Sequence, residues 1–209
     1  MIELLAGGAS CVHVPLEGSD PAAFKRTNPE AVVGGEGTGD APAAGHDFFN
    51  SPSDAADLSL TGEPASMTSH NGGSTVADLR TVDGATVYVA STTNAAAVGR
   101  ALRESDEPIT VVAAGRDGDP VPEDLLGATL VSRHATGAPV DADLREAYAA
   151  RLRDLRAPLP ELPEHRRRDL TEFVAAIDSR TVVPELDGDR LVDARERTRA
   201  VGHPVPTRP

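Results

Sequence analysis

One short pattern occurs twice within residues 65–102, and it constrains the fold more than any other feature of the sequence. Each copy reads as a strand, a turn rich in serine and threonine, and a helix of small residues; the turns end at Asn71 and Asn94. In the second copy, residues 87–89 favour extended structure and residues 95–102 favour a helix. Two strand-and-helix units in succession predict an α/β protein with a largely parallel sheet.

The two turns also predict a binding site. Turns that follow neighbouring parallel strands lie at one edge of the sheet, and the free N–H groups of the helices that follow attract anions. Asn71, Gly72, Thr93 and Asn94 are therefore candidates for contact with a phosphate or a sulfonate. The alternative is that Asn71 and Asn94 only cap their helices, as asparagine often does.

The composition suits an α/β domain built from small side chains. Of the 209 residues, 39% are hydrophobic and 3% are aromatic, and tryptophan is absent. Alanine, valine and leucine supply the core, as is usual for parallel strands buried on both faces. Because no long linker interrupts the alternation of strands and helices, we predict a three-layer α/β/α sandwich with a largely parallel or mixed sheet. It would form one domain over residues 1–201, with a disordered tail over 202–209.

The charge of the chain is strongly acidic. The formal net charge is −13, and Lys25 is the only lysine. Such a composition is typical of proteins from organisms that accumulate salt, because the Debye length falls to about 3 Å in molar salt and surface repulsion is screened. The same charge argues against a nucleic acid as partner.

The remaining composition narrows the cellular setting. Cys11 is the single cysteine, which excludes an internal disulfide and a thiolate metal cage. No apolar segment reaches the length of a membrane span, and no signal peptide is evident at Met1. We therefore expect a cytoplasmic protein without a membrane partner, and these features are compatible with a homo-oligomer.

Four acidic side chains lie in or beside predicted loops. Glu36 stands in a glycine-rich turn, Asp47 precedes two phenylalanines, and Glu123 and Asp124 open a predicted helix. Carboxylate oxygens are the ligands that Mg²⁺ prefers. Two alternatives remain open, because Glu123 and Asp124 are also the charges favoured at a helix start, and the turn around Glu36 also suits a flexible surface loop.

Several short segments, in their order along the chain, resemble the 2-phosphosulfolactate phosphatase (ComB-like) family. The matching segments are Gly35-Glu36-Gly37, Phe49-Asn50-Ser51-Pro52, Ser69-His70-Asn71-Gly72-Gly73, Asn94-Ala95, Ala114-Gly115, Glu123-Asp124, Gly127-Ala128 and Val183-Pro184. The resemblance covers roughly residues 3–190 and implies an α/β/α sandwich. It also implies Mg²⁺-dependent hydrolysis of a phosphate ester on a sulfonated lactate, a step toward coenzyme M.

The hypothesis of a Mg²⁺-dependent phosphatase assigns roles to individual residues. Glu36 and Asp124 would hold Mg²⁺, with Asp47 or Glu123 in support, and the ion would polarise the phosphoryl group and orient a water molecule. His70 would protonate the leaving alkoxide, and a turn histidine with only local hydrogen bonds is the alternative. Catalysis would then rest on Glu36, Asp124 and His70. Substrate contacts are expected from Asn50, Ser51, Asn71, Gly72, Thr93, Asn94 and Arg116.

The chain departs from the family pattern at positions that affect the chemistry. The family's first strand, which carries Asp-x-x-Arg-Ala-Thr-Thr, has no counterpart here, so we expect either an earlier start codon or a loss of that strand. Gly37 stands where the family has an arginine, and glycine cannot make the two-point phosphate contact that arginine makes. Arg116 is the proposed substitute. The departures support a second hypothesis, a non-catalytic relative that binds an anionic metabolite or a partner subunit.

Overall fold

A six-stranded, mostly parallel sheet organises the protein in the computed structural model, which describes residues 1–16, 19, 21–36, 41–116, 118–155 and 161–196. The strand order is β3-β2-β4-β1-β6-β5. Strands β1 to β4 pair in parallel, and β6 runs antiparallel to both β1 and β5. The predicted α/β sandwich is confirmed. The strands are β1 (Val12–His13), β2 (Val32–Gly35), β3 (Phe48–Phe49), β4 (Ala65–Met67), β5 (Pro184–Asp187) and β6 (Arg190–Asp193).

Helices connect and cover the strands. A π-helix, Asp169–Val174, directly continues the α-helix Glu164–Arg168. In the part of the chain that the structure describes, no helix has the length and apolar character needed to cross a lipid bilayer. The α-helices are α1 (Ile2–Ala6), α2 (Pro21–Thr27), α3 (Pro52–Ala56), α4 (Gly72–Leu79), α5 (Ala95–Arg103), α6 (Pro122–Thr136), α7 (Ala142–Asp154) and α8 (Glu164–Arg168).

Both faces of the sheet are covered, as β1 illustrates. Adjacent strand residues point to opposite faces of a sheet, so the Val12 and His13 side chains lie on different faces. Val12 is fully buried in the main apolar cluster with Leu4 of α1. On the other face the His13 ring stacks on Phe24 of α2, with the ring centroids 4.5 Å apart.

Two predicted strands do not form in the structure. Residues 87–89 touch the edge of β5 through a single bridge, Tyr88 to Glu185. Residues 109–114 make no backbone hydrogen bond to any other described residue, and Val112 is 51% exposed. The run of β-branched and small apolar residues at 109–114 predicts a buried strand. This prediction is wrong, because β-branched side chains favour a strand only where a neighbouring strand completes the ladder.

Two further predictions fall outside the described residues. The disordered tail over 202–209 and the replacement of arginine by Gly37 both lie there.

Candidate active site

The carboxyl ends of β2, β3 and β4 meet at one edge of the sheet, because these strands are parallel neighbours. Two glycines at the end of β2 allow Phe48 of β3 and Thr68 after β4 to approach the β2 backbone closely. A Cβ on Gly34 would lie 2.5 Å from the Phe48 ring, and one on Gly35 would overlap the Thr68 hydroxyl. Gly35 also has φ +148, which disfavours any other residue. The next residue, Glu36, is thereby brought against the segments that follow β3 and β4.

Glu36, Asn50 and His70 form one hydrogen-bonded group at this edge. The Asn50 side-chain amide donates to Glu36 Oε1 at 3.0 Å. His70 Nε2 lies 3.1 Å from Glu36 Oε2, and the His70 backbone N–H donates to Oε1 at 3.4 Å. The His70 side chain is 79% exposed and Glu36 is half-buried. The group therefore presents an imidazole to solvent with a carboxylate directly behind it.

The two residues after His70 begin α4. Asn71 is the N-cap of that helix, but its side chain makes no capping hydrogen bond. Its carbonyl accepts the Thr75 N–H at 3.0 Å. The Glu36 carboxylate lies beside this helix start, where negative charge is favoured. The first predicted anion turn therefore faces a carboxylate of the protein itself.

A cavity of about 860 Å³ opens beside this group. Among the described residues that line it, the charged side chains are all acidic, and they are Glu3, Glu107, Glu123 and Asp124. Asn50 belongs both to the cavity wall and to the hydrogen-bonded group with Glu36. The cavity also brings together the predicted site residues Asn50, Ser51, Gly72, Thr93, Glu123 and Asp124.

Comparison with known proteins identifies the family. The sequence model of the 2-phosphosulpholactate phosphatase family matches residues 1–187. The chain belongs to that family. It is similar to a probable 2-phosphosulfolactate phosphatase of Thermoplasma acidophilum, with 29% identity over 171 residues that make up 82% of this chain and 73% of the relative.

In this member of the 2-phosphosulpholactate phosphatase family, the asparagine of the second predicted anion turn makes its hydrogen bonds to other groups of the protein. Asn94 is fully buried, its Oδ1 accepts the Ser91 N–H at 2.8 Å, and its amide donates to Val89 and Val182 carbonyls. In the first turn of α5, the Ala96 N–H also has an internal partner, because it donates to Asp178 Oδ1 at 2.9 Å. Asn94 therefore stabilises the turn, and its side chain has no remaining donor for a substrate.

Thr93 differs from its neighbour because it stays at the cavity wall. Its hydroxyl lies 2.8 Å from the Ser91 hydroxyl, and both residues line the cavity. The hydroxyl groups of Ser91 and Thr93 are thus the groups of the second turn that are placed to contact a ligand.

The structure separates Asp47 from the group around Glu36. Asp47 precedes β3, whereas Asn50 follows it, so the two lie at opposite ends of the strand. The Asp47 carboxylate pairs with Lys25 Nζ at 2.6 Å and accepts the Val33 N–H at 2.8 Å. Burial opposes ionisation of Asp47, but the hydrogen bonds from Lys25 and Val33 outweigh it and hold the pKa below its ordinary value. The predicted role of Asp47 as a metal ligand is not supported by this position.

Arg116 is not among the described residues that line the cavity, although Ala114 and Asp124 beside its turn do line it. Its side chain is exposed, and its backbone pairs with Asp119 in a tight turn. The expected role of Arg116 as a replacement for the family arginine therefore stays a prediction.

The donor set fits a metal that arrives with its substrate rather than a preformed cage. In the described part of the chain, no three His, Cys, Asp or Glu side chains are grouped as metal ligands. Asp124 Oδ2 accepts the Gly115 N–H at 2.8 Å, and Glu36 is engaged by Asn50 and His70. Mg²⁺ commonly uses one or two carboxylates and completes its shell with water and phosphate oxygens. Glu36 satisfies that requirement.

Sequence reasoning missed Ser53 and Asp169. Ser51 and Ser53 donate to Asp169 Oδ1, and all three residues are buried. The N-cap position of Ser51 was readable from the following Pro52. The position of Asp169 was not, because its partners lie 118 and 116 residues away in the sequence.

Proposed function

We propose that this protein is a phosphatase that hydrolyses the phosphate monoester of a small anionic hydroxy acid such as 2-phosphosulfolactate. The observation that carries the proposal is the Glu36–Asn50–His70 group at the carboxyl edge of the sheet, in a chain of the 2-phosphosulpholactate phosphatase family. The name of the Thermoplasma relative supports the choice of substrate class.

The proposed chemistry is attack of water on phosphorus with loss of the ester oxygen. A protonated His70, held through Nε2 by Glu36, presents its Nδ1–H to the leaving oxygen and gives up that proton as the bond breaks. Glu36 orients the ring before the transfer, as a carboxylate does behind a catalytic histidine. The remaining amide hydrogen of Asn50 is available to a phosphoryl oxygen.

Mg²⁺ is the proposed cofactor. Glu36 would hold the ion, and the phosphate of the substrate and water would complete its ligands. When bound, the ion would offset the negative charge of the phosphoryl group. Such a positive charge is required because the acidic side chains that line the cavity repel a phosphate. We expect chelation with EDTA to abolish phosphate release and added Mg²⁺ to restore it.

The test of the site compares Glu36 with Asp47, which were both expected near the metal. Phosphate release is measured in molar KCl with Mg²⁺ on a panel that includes 2-phosphosulfolactate and 2-phospholactate. Glu36→Gln is expected to lower kcat by about 100-fold or more, because it removes the charge that holds His70. Asp47→Asn is the matched control and should keep kcat within about threefold, since Asp47 lies at the other end of β3.

Two outcomes would contradict the proposal. One is no phosphate release by the wild-type protein on any panel member, and the other is an equal loss in both variants.

A second candidate function is non-catalytic binding of an anionic metabolite. It is favoured by the internal use of Asp47 and Asp124, which leaves few free carboxylates for a metal. Calorimetry separates the two functions: saturable binding of 2-phosphosulfolactate without phosphate release supports the binding protein, and turnover excludes it.

A further inference from the structure

The carboxylate of Asp169 belongs to none of the predicted chemistry, yet it is tied to the segment that carries Asn50. Its Oδ1 accepts hydrogen bonds from Ser51 Oγ at 2.7 Å, Ser53 Oγ at 2.7 Å and the Ser53 backbone N–H at 2.9 Å. Asp169 is 7% exposed and both serines are more deeply buried. Hydrogen bonds to an ionised acceptor are roughly twice as strong as neutral ones, so this contact fixes the segment firmly.

Asp169 occupies a special position in its helix. It is the first residue of the π-helix, directly after Arg168 of α8. A π-helical turn is uncommon, and such turns occur frequently at functional sites. Leu170 and Phe173 of the same π-helix are buried, which holds the backbone behind Asp169 in place.

The hydrogen-bonding capacity of Ser51 is used within the protein. Its hydroxyl lies 2.7 Å from Asp169 Oδ1 and accepts the Asp54 N–H at 3.4 Å as the N-cap of α3. Ser51 therefore serves as an anchor, and the group of this segment that faces Glu36 is the amide of Asn50.

We propose that Asp169 is a positioning residue, which anchors Ser51 and Ser53 so that the side-chain amide of Asn50 stays on Glu36. The anchoring itself does not depend on catalysis. Its effect on turnover rests on the proposed phosphatase function, because a small displacement of a group that contacts substrate lowers the rate sharply.

The anchoring can be tested without any substrate. The chain has four asparagines and no glutamine, so the side-chain amide region of a ¹⁵N–¹H spectrum contains four pairs of signals. Asn50→Ala identifies the Asn50 pair by its loss. In Asp169→Asn, which adds one pair of its own, we expect the Asn50 pair to shift and broaden while those of Asn28 and Asn71 stay in place.

Asp193→Asn is the matched control. Asp193 is equally buried, but it accepts from Val183 and Arg195 at β6, away from β3. The Asn50 pair should stay unchanged in that variant. Should Asp169→Asn fail to fold, Ser53→Ala removes one hydroxyl donor and keeps the carboxylate, and it should move the same pair. An Asn50 pair that is unchanged in both variants would overturn the proposal.

Turnover provides the second measurement. Asp169→Asn is expected to lower kcat by about tenfold and to keep KM within about twofold. The reason is that the substitution changes the position of the Asn50 amide and leaves the binding of the substrate largely intact. If Asp169 acts through Ser51 and Ser53, adding Asp169→Asn to a variant that already carries Ser51→Ala and Ser53→Ala lowers kcat by less than it does in the wild-type protein. Fully additive losses, or unchanged kcat with a lower Tm, would show a merely structural role. Absence of wild-type turnover would reject the proposed function and leave the amide signals as the test of anchoring.

Discussion

Asn71 and Asn94 occupy matching places in the repeated sequence pattern, but the fold uses them in different ways. Asn94 is fully buried, and its side chain accepts one hydrogen bond and donates two, whereas Asn71 makes no capping hydrogen bond with its side chain. The pattern in the sequence predicted both turns correctly as the starts of helices. It could not assign the side chains, because the partners of Asn94 include Val182, which is distant in the chain.

This difference predicts unequal effects on stability. Asn94→Ala should lower the free energy of unfolding by about 2–4 kcal/mol, because it leaves buried backbone groups without partners. Asn71→Ala should change it by no more than about 0.5 kcal/mol. Urea unfolding in molar salt, followed by circular dichroism, measures both. Equal losses would contradict the distinction between the two turns.

Asp193 makes a pH-dependent contribution to stability. Burial opposes its ionisation, but hydrogen bonds from Arg195 and Val183 outweigh this and place its folded-state pKa below the ordinary value of 3.8. The folded state therefore binds fewer protons than the unfolded state. The contribution is complete above the ordinary pKa and is lost as the pH falls through the folded-state pKa.

The corresponding prediction compares the wild-type protein with Asp193→Asn. The wild-type protein should be more stable at pH 7, and its advantage should shrink as the pH falls below the ordinary value of 3.8. Urea unfolding at a series of pH values measures the difference. An advantage that grows in acid would mean that the folded-state pKa of Asp193 is raised and not lowered.

At the scale of elements, the helices were easier to predict than the strands. The helix predicted for residues 95–102 is α5. The sequence of residues 141–155 also predicts an amphipathic helix, and this helix is α7, with Asp141 accepting the Leu144 N–H as N-cap. Helices satisfy their own backbone groups, so a local pattern decides them. Residues 109–114 also have a strong local preference, in their case for a strand, but no described segment pairs with them. A strand depends on a partner that the local sequence does not specify.

Amide hydrogen exchange should distinguish these segments. The amides of residues 110–114 should exchange close to the rate of an unstructured peptide, because none donates to another described residue. Ala65 in β4, whose N–H donates to the Cys11 carbonyl at 2.9 Å, should be strongly protected. The Val89 amide is an internal control outside the named strands: it donates to the Pro184 carbonyl and should therefore be protected. Protection of residues 110–114 equal to that of β4 would contradict this picture.

The candidate site illustrates the same division between local and distant information. The sequence indicated Glu36, Asn50 and His70, and the parallel pairing of β2, β3 and β4 brings these residues together. It also indicated Asp47, whose place before β3 puts it at the opposite end of that two-residue strand from Asn50. Three residues along the chain therefore separate Asn50, which contacts Glu36, from Asp47, which pairs with Lys25.

At the scale of the whole molecule, the surface charge predicts a requirement for salt. A net charge of −13 on a chain with 20 basic and 33 acidic residues produces repulsion that salt screens. Circular dichroism should show folded protein in molar KCl and loss of structure on dialysis to low salt. Sucrose at equal osmolality is the control and should not restore the signal to the same extent. Full retention of structure without salt would contradict the prediction.

The position of β1 also has a consequence for how the chain is made in the cell. β1 lies between β4 and β6, and Val12 is paired with both Ala65 and Leu191. Because β6 follows β1 at a long distance in the sequence, β1 leaves the ribosome well before the strand that encloses its second side. In that interval β1 has one edge without a partner strand, and a nascent-chain complex stalled before β6 should be readily cleaved by protease near β1.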